Sequence, residues 1–129
     1  MAPAGIPQSV ERLVAEHIHS VEQLEVLLLL RRTAGRSWTA GEVSDELVTQ
    51  RDSVAERLED LAARGFLSRE DGGEPRYAYA PGDAARDRDV DALADCYARR
   101  RVSVITLIFS KPSDTIRSFS DAFRLRGGS

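Results

Sequence analysis

Residues 50–81 read QRDSVAERLEDLAARGFLSREDGGEPRYAYAP, and the spacing of the apolar residues changes in the middle of the stretch. Up to Gly65 the apolar positions Val54, Leu58 and Leu61 fall three and four apart, as on one stripe of an α-helix. From Phe66 the pattern is extended. Phe66 to Arg69 and Arg76 to Ala80 predict two short strands, with Tyr77 and Tyr79 on one face, and the segment Glu70 to Pro75 with its Gly72-Gly73 pair joins them as a hairpin. Gly65 supplies the left-handed residue that closes the helix. Pro81 and Gly82 close the hairpin.

Upstream of this stretch the chain reads as helices separated by caps. Val10, Leu13, Val14, His17 and Ile18 predict a first amphipathic helix of about nine residues. Ser20 with Gln23 fits a capping box, in which a serine oxygen takes a free backbone N–H and the glutamine returns a bond. The helix it opens runs to Arg32 and Gly35 ends it; leucines 27–30 make it apolar on most sides, as suits the centre of a domain. Ser37 and Trp38 form a short extended piece. Thr39 with Glu42 predicts a second capping box for a helix carrying Val43 and Leu47, and Ser53 with Glu56 a third, with Asp52 and Ser53 opening the next helix.

Downstream, a polar linker leads to one long helix over 88–110. Val90, Ala94, Tyr97, Arg101, Val104 and Ile108 alternate spacings of four and three, a heptad-like seam, and Val102, Ile105 and Phe109 add a second stripe. Pro112 ends it, and a last helix carries Ile116, Phe119 and Phe123 on one side with Arg117 and Arg124 on the other.

The chain has 129 residues, 42% hydrophobic and 30% charged, which is the composition of a globular domain able to hold a core unaided. Cys96 is the single cysteine, so an intramolecular disulfide and a cysteine-rich zinc site are excluded and a reducing, cytoplasmic compartment is expected. The start of the chain has no signal-peptide pattern, and the longest apolar run, Val26 to Leu30, is far short of the ~20 residues of a membrane span. The net charge of -3 is unevenly placed: residues 39–82 hold 10 acids against 5 arginines.

The order helix, helix, turn, helix, glycine, hairpin over residues 20–81 resembles the winged helix-turn-helix domain of bacterial transcriptional regulators of the ArsR and MarR kind. The resemblance is carried by Val43 and Leu47 on the positioning helix, by Val54, Leu58 and Leu61 on the recognition helix, by Gly65-Phe66-Leu67 and by Tyr77. It implies a mainly α fold with a small β-wing, divided into a tail over 1–9, a winged helix-turn-helix domain over 10–82 and C-terminal oligomerisation helices over 83–129. It also implies a DNA-binding regulator whose helix 52–64 enters the major groove while the wing 66–80 touches the backbone. The exposed candidates for DNA contact are Gln50, Arg51, Ser53, Glu56, Arg57, Arg69 and Arg76, with Arg57 suited to a guanine, Gln50 to an adenine and Ser53 to a phosphate or a cap.

That charge runs against the implied function, because DNA affinity depends on cations neutralising phosphates. Asp52 and Glu56 sit beside the groove and Glu70, Asp71 and Glu74 on the wing tip, although acids are also favoured at helix N-termini. A second reading therefore stands beside the first: a winged-helix protein interaction module that binds through its acidic face or its terminal helix and not to DNA. Self-association as a homodimer is expected through Tyr97, Arg101, Val104, Ile105, Ile108, Phe109, Ile116, Phe119 and Phe123, the alternative being that these helices pack within the chain. The last helix also suits a partner groove ahead of a membrane surface. No catalytic arrangement or cofactor loop is visible. His17 and His19 point to different sides of a helix, unlike metal ligands, and Cys96, near Arg99 and Arg100, reads first as a packing residue and second as a redox-sensitive thiol.

Overall fold

The computed structural model describes residues 5–110, built as α1 (Gln8–His17), α2 (Val21–Arg32), α3 (Ala40–Leu47), α4 (Arg51–Ala63), β1 (Leu67–Glu70), β2 (Arg76–Tyr79), α5 (Ala84–Arg99) and α6 (Arg101–Ser110). The predicted residues Ile116, Phe119 and Phe123 and their helix lie outside the described residues. Helix α2 is the central element: Leu24, Val26, Leu27, Leu29 and Leu30 are all buried, with α3 and α4 on one side and β2 beside it. Helices α3 and α4 meet in the helix-turn-helix, and α1 packs against α5 and α6. One continuous core joins the two halves, from Ile6 and Val10 through Leu58 and Phe66 to Val104 and Ile108.

The caps explain where the helices start. Thr39 accepts from the Glu42 N–H at 3.1 Å, and Glu42 accepts from the Thr39 N–H at 2.9 Å, so the predicted box is complete. Ser20 accepts from the Gln23 N–H at 3.0 Å, but the Gln23 carbonyl oxygen takes the N–H of His19, not of Ser20, at 2.7 Å. The third predicted box does not form: α4 begins at Arg51 after Gln50, and the Ser53 hydroxyl donates to Glu22 on α2. A tertiary partner for Ser53 outcompetes the local one.

Helix α4 closes at Gly65 (φ 89°) with the Phe66 N–H bonded to the Leu61 carbonyl at 3.0 Å and the Gly65 N–H to Ala62 at 3.1 Å, the paired bonds of a Schellman turn. Phe66 and Leu61 are both fully buried, which fixes the direction in which the wing leaves. The wing is an antiparallel pair in the register Leu67 to Tyr79 and Arg69 to Tyr77. Trp38 extends it: its N–H and carbonyl exchange 2.8 Å bonds with Tyr77, which ties the wing to the loop between α2 and α3.

The single long helix expected over 88–110 is two. Arg100 leaves helical geometry (φ -134°, ψ 55°), and the chain turns so that α5 buries Val90, Leu93 and Cys96 while α6 lays Val104 and Ile108 against α1. The stripe that α5 buries is thus 90, 93, 96 and not the seam 90, 94, 97. A straight helix would carry Val104 and Ile108 away from α1; the turn at exposed Arg100 recovers their burial.

Val48, between α3 and α4, holds a left-handed conformation (φ 54°, ψ 58°) and is 90% exposed. A β-branched side chain is strained there, and nothing packs on it in return. Val48→Asn should therefore raise stability by about 1 kcal/mol, read as a higher urea midpoint with unchanged slope. A lower midpoint would show that the turn is not strained.

Candidate nucleic-acid interface

Helix α4 presents three surfaces besides its buried stripe of Val54, Leu58 and Leu61. Ser53, Arg57, Asp60 and Arg64 recur on the flank toward α1 and α2. Arg51 and Glu59 lie on the flank toward the wing. Asp52, Glu56 and Ala63 face outward and are exposed.

The flank toward α2 is organised by Glu22. Its carboxylate accepts from the Thr49 hydroxyl at 2.8 Å, from the Ser53 hydroxyl and from Arg57 Nε at 3.2 Å. Burial pushes the Glu22 pKa up, but the bonds from Ser53, Thr49 and Arg57 outweigh it, so the group stays below its ordinary value. Next to it the buried Gln23 amide donates to Asp60 at 2.6 Å, and Asp60 also accepts from Arg64 Nε at 2.9 Å. Two consecutive residues of α2 thereby hold both halves of α4.

On the wing flank, Arg51 Nη2 reaches Glu74 Oε1 at the hairpin tip at 2.6 Å. Arg69 on β1 pairs with Glu59 of α4 and, through Nε at 2.9 Å, with Asp71. A cleft of about 250 Å3 lies between these elements, lined by Arg51, Ala55, Glu59, Glu74 and Tyr77. Arg76 reaches across to the α2–α3 loop: it donates to the Ser37 hydroxyl at 3.0 Å, the Ser37 carbonyl at 3.1 Å and Glu42 at 3.2 Å. Glu42, bonded by the Thr39 N–H and facing Arg76, is held below its ordinary pKa.

The predicted contact residues therefore divide. Gln50 is exposed at the N-cap of α4 with no cap bond from its side chain, and Arg51 and Arg69 lie on the wing side. Ser53 and Arg57, expected at the groove, are bound to Glu22 on the opposite flank, and Arg76 fastens the wing to the α2–α3 loop. Glu56 is exposed on the outward face. Glu22 and Thr49 were invisible to sequence reading because the pairs they make span 27 to 35 positions.

The residues expected at a dimer surface also divide. Val104 and Ile108 are buried in this chain's own core. Tyr97 OH donates to Glu25 at 3.2 Å and Arg101 to the same carboxylate at 3.3 Å, so both tie the C-terminal helices to α2. Ile105 is half-buried, and Phe109, with Val102, is 76% exposed.

Neither histidine joins a metal cluster; among the described residues no group of three potential ligands converges. The ring nitrogens of His17 face Arg64 and Arg86, each at 3.3 Å, an environment that repels a cation. Burial, then Arg86 and Arg64, lower the His17 pKa. Cys96 is buried, and burial raises its thiol pKa against the smaller opposing effect of Arg100, which favours the packed thiol form. No helix among the described residues is long and apolar enough to cross a membrane.

No family model matches the chain, and no curated protein does. Solved structures do resemble it. RV1404 from Mycobacterium tuberculosis superposes with a TM-score of 0.53 at 12% identity, over 95% of this chain and 81% of that one. The YusO protein from Bacillus subtilis gives 0.50 at 13% identity, over 95% and 87%. Wild-type MarR from E. coli gives 0.49 at 17% identity, over 96% of each chain. At these identities the likeness to RV1404 and YusO is one of fold, and the fold is a winged helix with added helices, as the sequence pattern implies.

The Glu22 cluster makes a pH prediction. Because the carboxyl is more acidic folded than unfolded, the stability it confers is complete above the ordinary value of 4.5 and is lost as pH falls through the lower folded value. Glu22→Gln should cost about 1–3 kcal/mol near neutrality and flatten the acid limb in denaturation followed across pH. Parallel pH curves for the two proteins would contradict this role.

Proposed function

We propose that this chain is a DNA-binding transcriptional regulator that sets the start of α4 in the major groove and lays the wing along the backbone. The observation that carries the reading is the cleft between the start of α4 and the wing, with Arg51 in its wall, Arg69 held by Glu59 of the same wall, and exposed Gln50 next in the chain to Arg51. In this geometry Gln50 is the residue suited to a base edge and Arg51 and Arg69 to phosphates. Ser53, Arg57 and Arg76 act by holding the frame. Such a regulator works in the cytoplasm, has no catalytic or cofactor role, and pairs with a second copy through the apolar Val102, Ile105 and Phe109 side of α6 together with residues 111–129. Pairing would set two α4 helices about one DNA turn apart, roughly 34 Å.

A second reading has its own observation. The outward face of α4 is acidic at Asp52 and Glu56, with Asp45 and Glu46 exposed on α3, which suits a basic protein partner. A fluorescence titration with mixed-sequence duplex DNA at about 50 and about 200 mM salt separates the two. The regulator reading expects binding that weakens with salt and weakens several-fold more in Arg51→Ala, whereas Arg57→Ala lowers the melting temperature first. Absence of binding at the lower salt would leave the protein-partner reading.

A further inference from the structure

The arginines of the proposed DNA surface are already occupied, and the groups that occupy them resemble the ligand. A carboxylate presents two anionic oxygens to a guanidinium in much the way a phosphate does. Glu74 reaches Arg51 from the wing tip, and Glu59 and Asp71 hold Arg69 between α4 and the wing. Arg64 pairs with Asp60 within α4, on the flank away from the wing. Arg69 is 41% exposed and its carboxylates 54% and 71%, and they are its only bonded partners among the described residues, whereas Arg76, equally exposed at 42%, is also bonded to Ser37. The side chains of Arg51 and Glu74 are 62% and 46% exposed and share a single bond, so water and salt screen them and opening them costs little. Arg57 and Glu22 are 36% and 24% exposed, and Glu22 is locked by Thr49 and Ser53 as well. Arg76 makes three bonds at once, one of them to a carboxylate that also completes the α3 cap.

We propose that Glu74, seconded by Asp71 and Glu59, is a built-in competitor of DNA phosphate: duplex binding exchanges these carboxylates for phosphates at Arg51 and Arg69, while the Arg57 and Arg76 pairs stay closed. The proposal rests on the DNA reading above and adds a determinant of its affinity. Exchange has a physical signature. An arginine that is free releases counterions from DNA when it binds; an arginine that first sheds a carboxylate leaves that carboxylate to gather cations, so the net release is smaller and the salt dependence shallower. The acids of the wing tip then act as a threshold that discriminates against weak, non-specific duplex, and removing one lowers the threshold.

The test uses the full chain, mixed-sequence duplex and Glu74→Gln, with Glu70→Gln as the control. Glu70 is exposed on the same wing and is in no ion pair among the described residues, so it matches the change in overall charge without releasing an arginine. Glu74→Gln is expected to bind about threefold more tightly than Glu70→Gln and with a steeper salt slope, and this difference should vanish when Arg51→Ala is added to both. Asp71→Asn repeats the experiment through Arg69. If Glu74→Gln matches Glu70→Gln, or its advantage survives without Arg51, the competitor is disproved while DNA binding stands. If neither the natural chain nor any variant binds at low salt, the DNA reading falls and the competitor with it.

Discussion

Each arginine between residues 39 and 82 is paired with a carboxylate of its own chain, and that compensation shapes the half of the molecule built from α3, α4 and the wing. The pairs are also joints. Arg57 joins α4 to α2, Arg76 joins the wing to the α2–α3 loop and the α3 cap, Arg69 joins wing to α4, and Arg51 joins the start of α4 to the hairpin tip. The direction in which the wing leaves α4 is fixed by the buried Leu61 and Phe66, and the ion pairs add contacts between the two elements. The acids outside the pairs, Asp45, Glu46, Asp52, Glu56 and Glu70, account for the local excess of negative charge and are exposed.

How much of this was legible in the sequence follows the range of the interactions. The change of period at Gly65, the apolar stripe of α4 and the Thr39–Glu42 cap are local patterns, and the structure reproduces them. The Ser53–Glu56 box has the same local signature as the real cap and yet is absent. Nothing within three residues of Ser53 reveals that Glu22 lies against it. The same limit applies to the site: arginines at 51, 57, 69 and 76 look equivalent in a string, and only their partners distinguish Arg57, bound to α2, and Arg76, bound to the α2–α3 loop and the α3 cap, from Arg51 and Arg69, which bridge α4 and the wing.

The C-terminal helices teach the complementary lesson about apolar pattern. A seam of spacing four and three over 90–108 is compatible with one long helix seeking a partner, or with two shorter ones folding back. The turn at Arg100 selects the second, and with it Val104 and Ile108 pass from an expected surface into the core. Tyr97 and Arg101 meet Glu25 on α2, so the C-terminal helices are coupled to the same central helix that holds α4 through Glu22 and Gln23. What apolar surface remains on α6, at Val102, Ile105 and Phe109, is a narrow strip on the side away from α1.

The proposed exchange divides these four arginines into two kinds, Arg57 and Arg76 closed and Arg51 and Arg69 exchangeable. The most direct measurement is of their side-chain Nε–H resonances by nitrogen-15 NMR in the free protein and with saturating duplex DNA. The Arg51 and Arg69 signals are expected to move as carboxylate is replaced by phosphate, while those of Arg57 and Arg76 keep their positions. Equal movement of all four, or of Arg57 and Arg76 alone, would contradict the exchange.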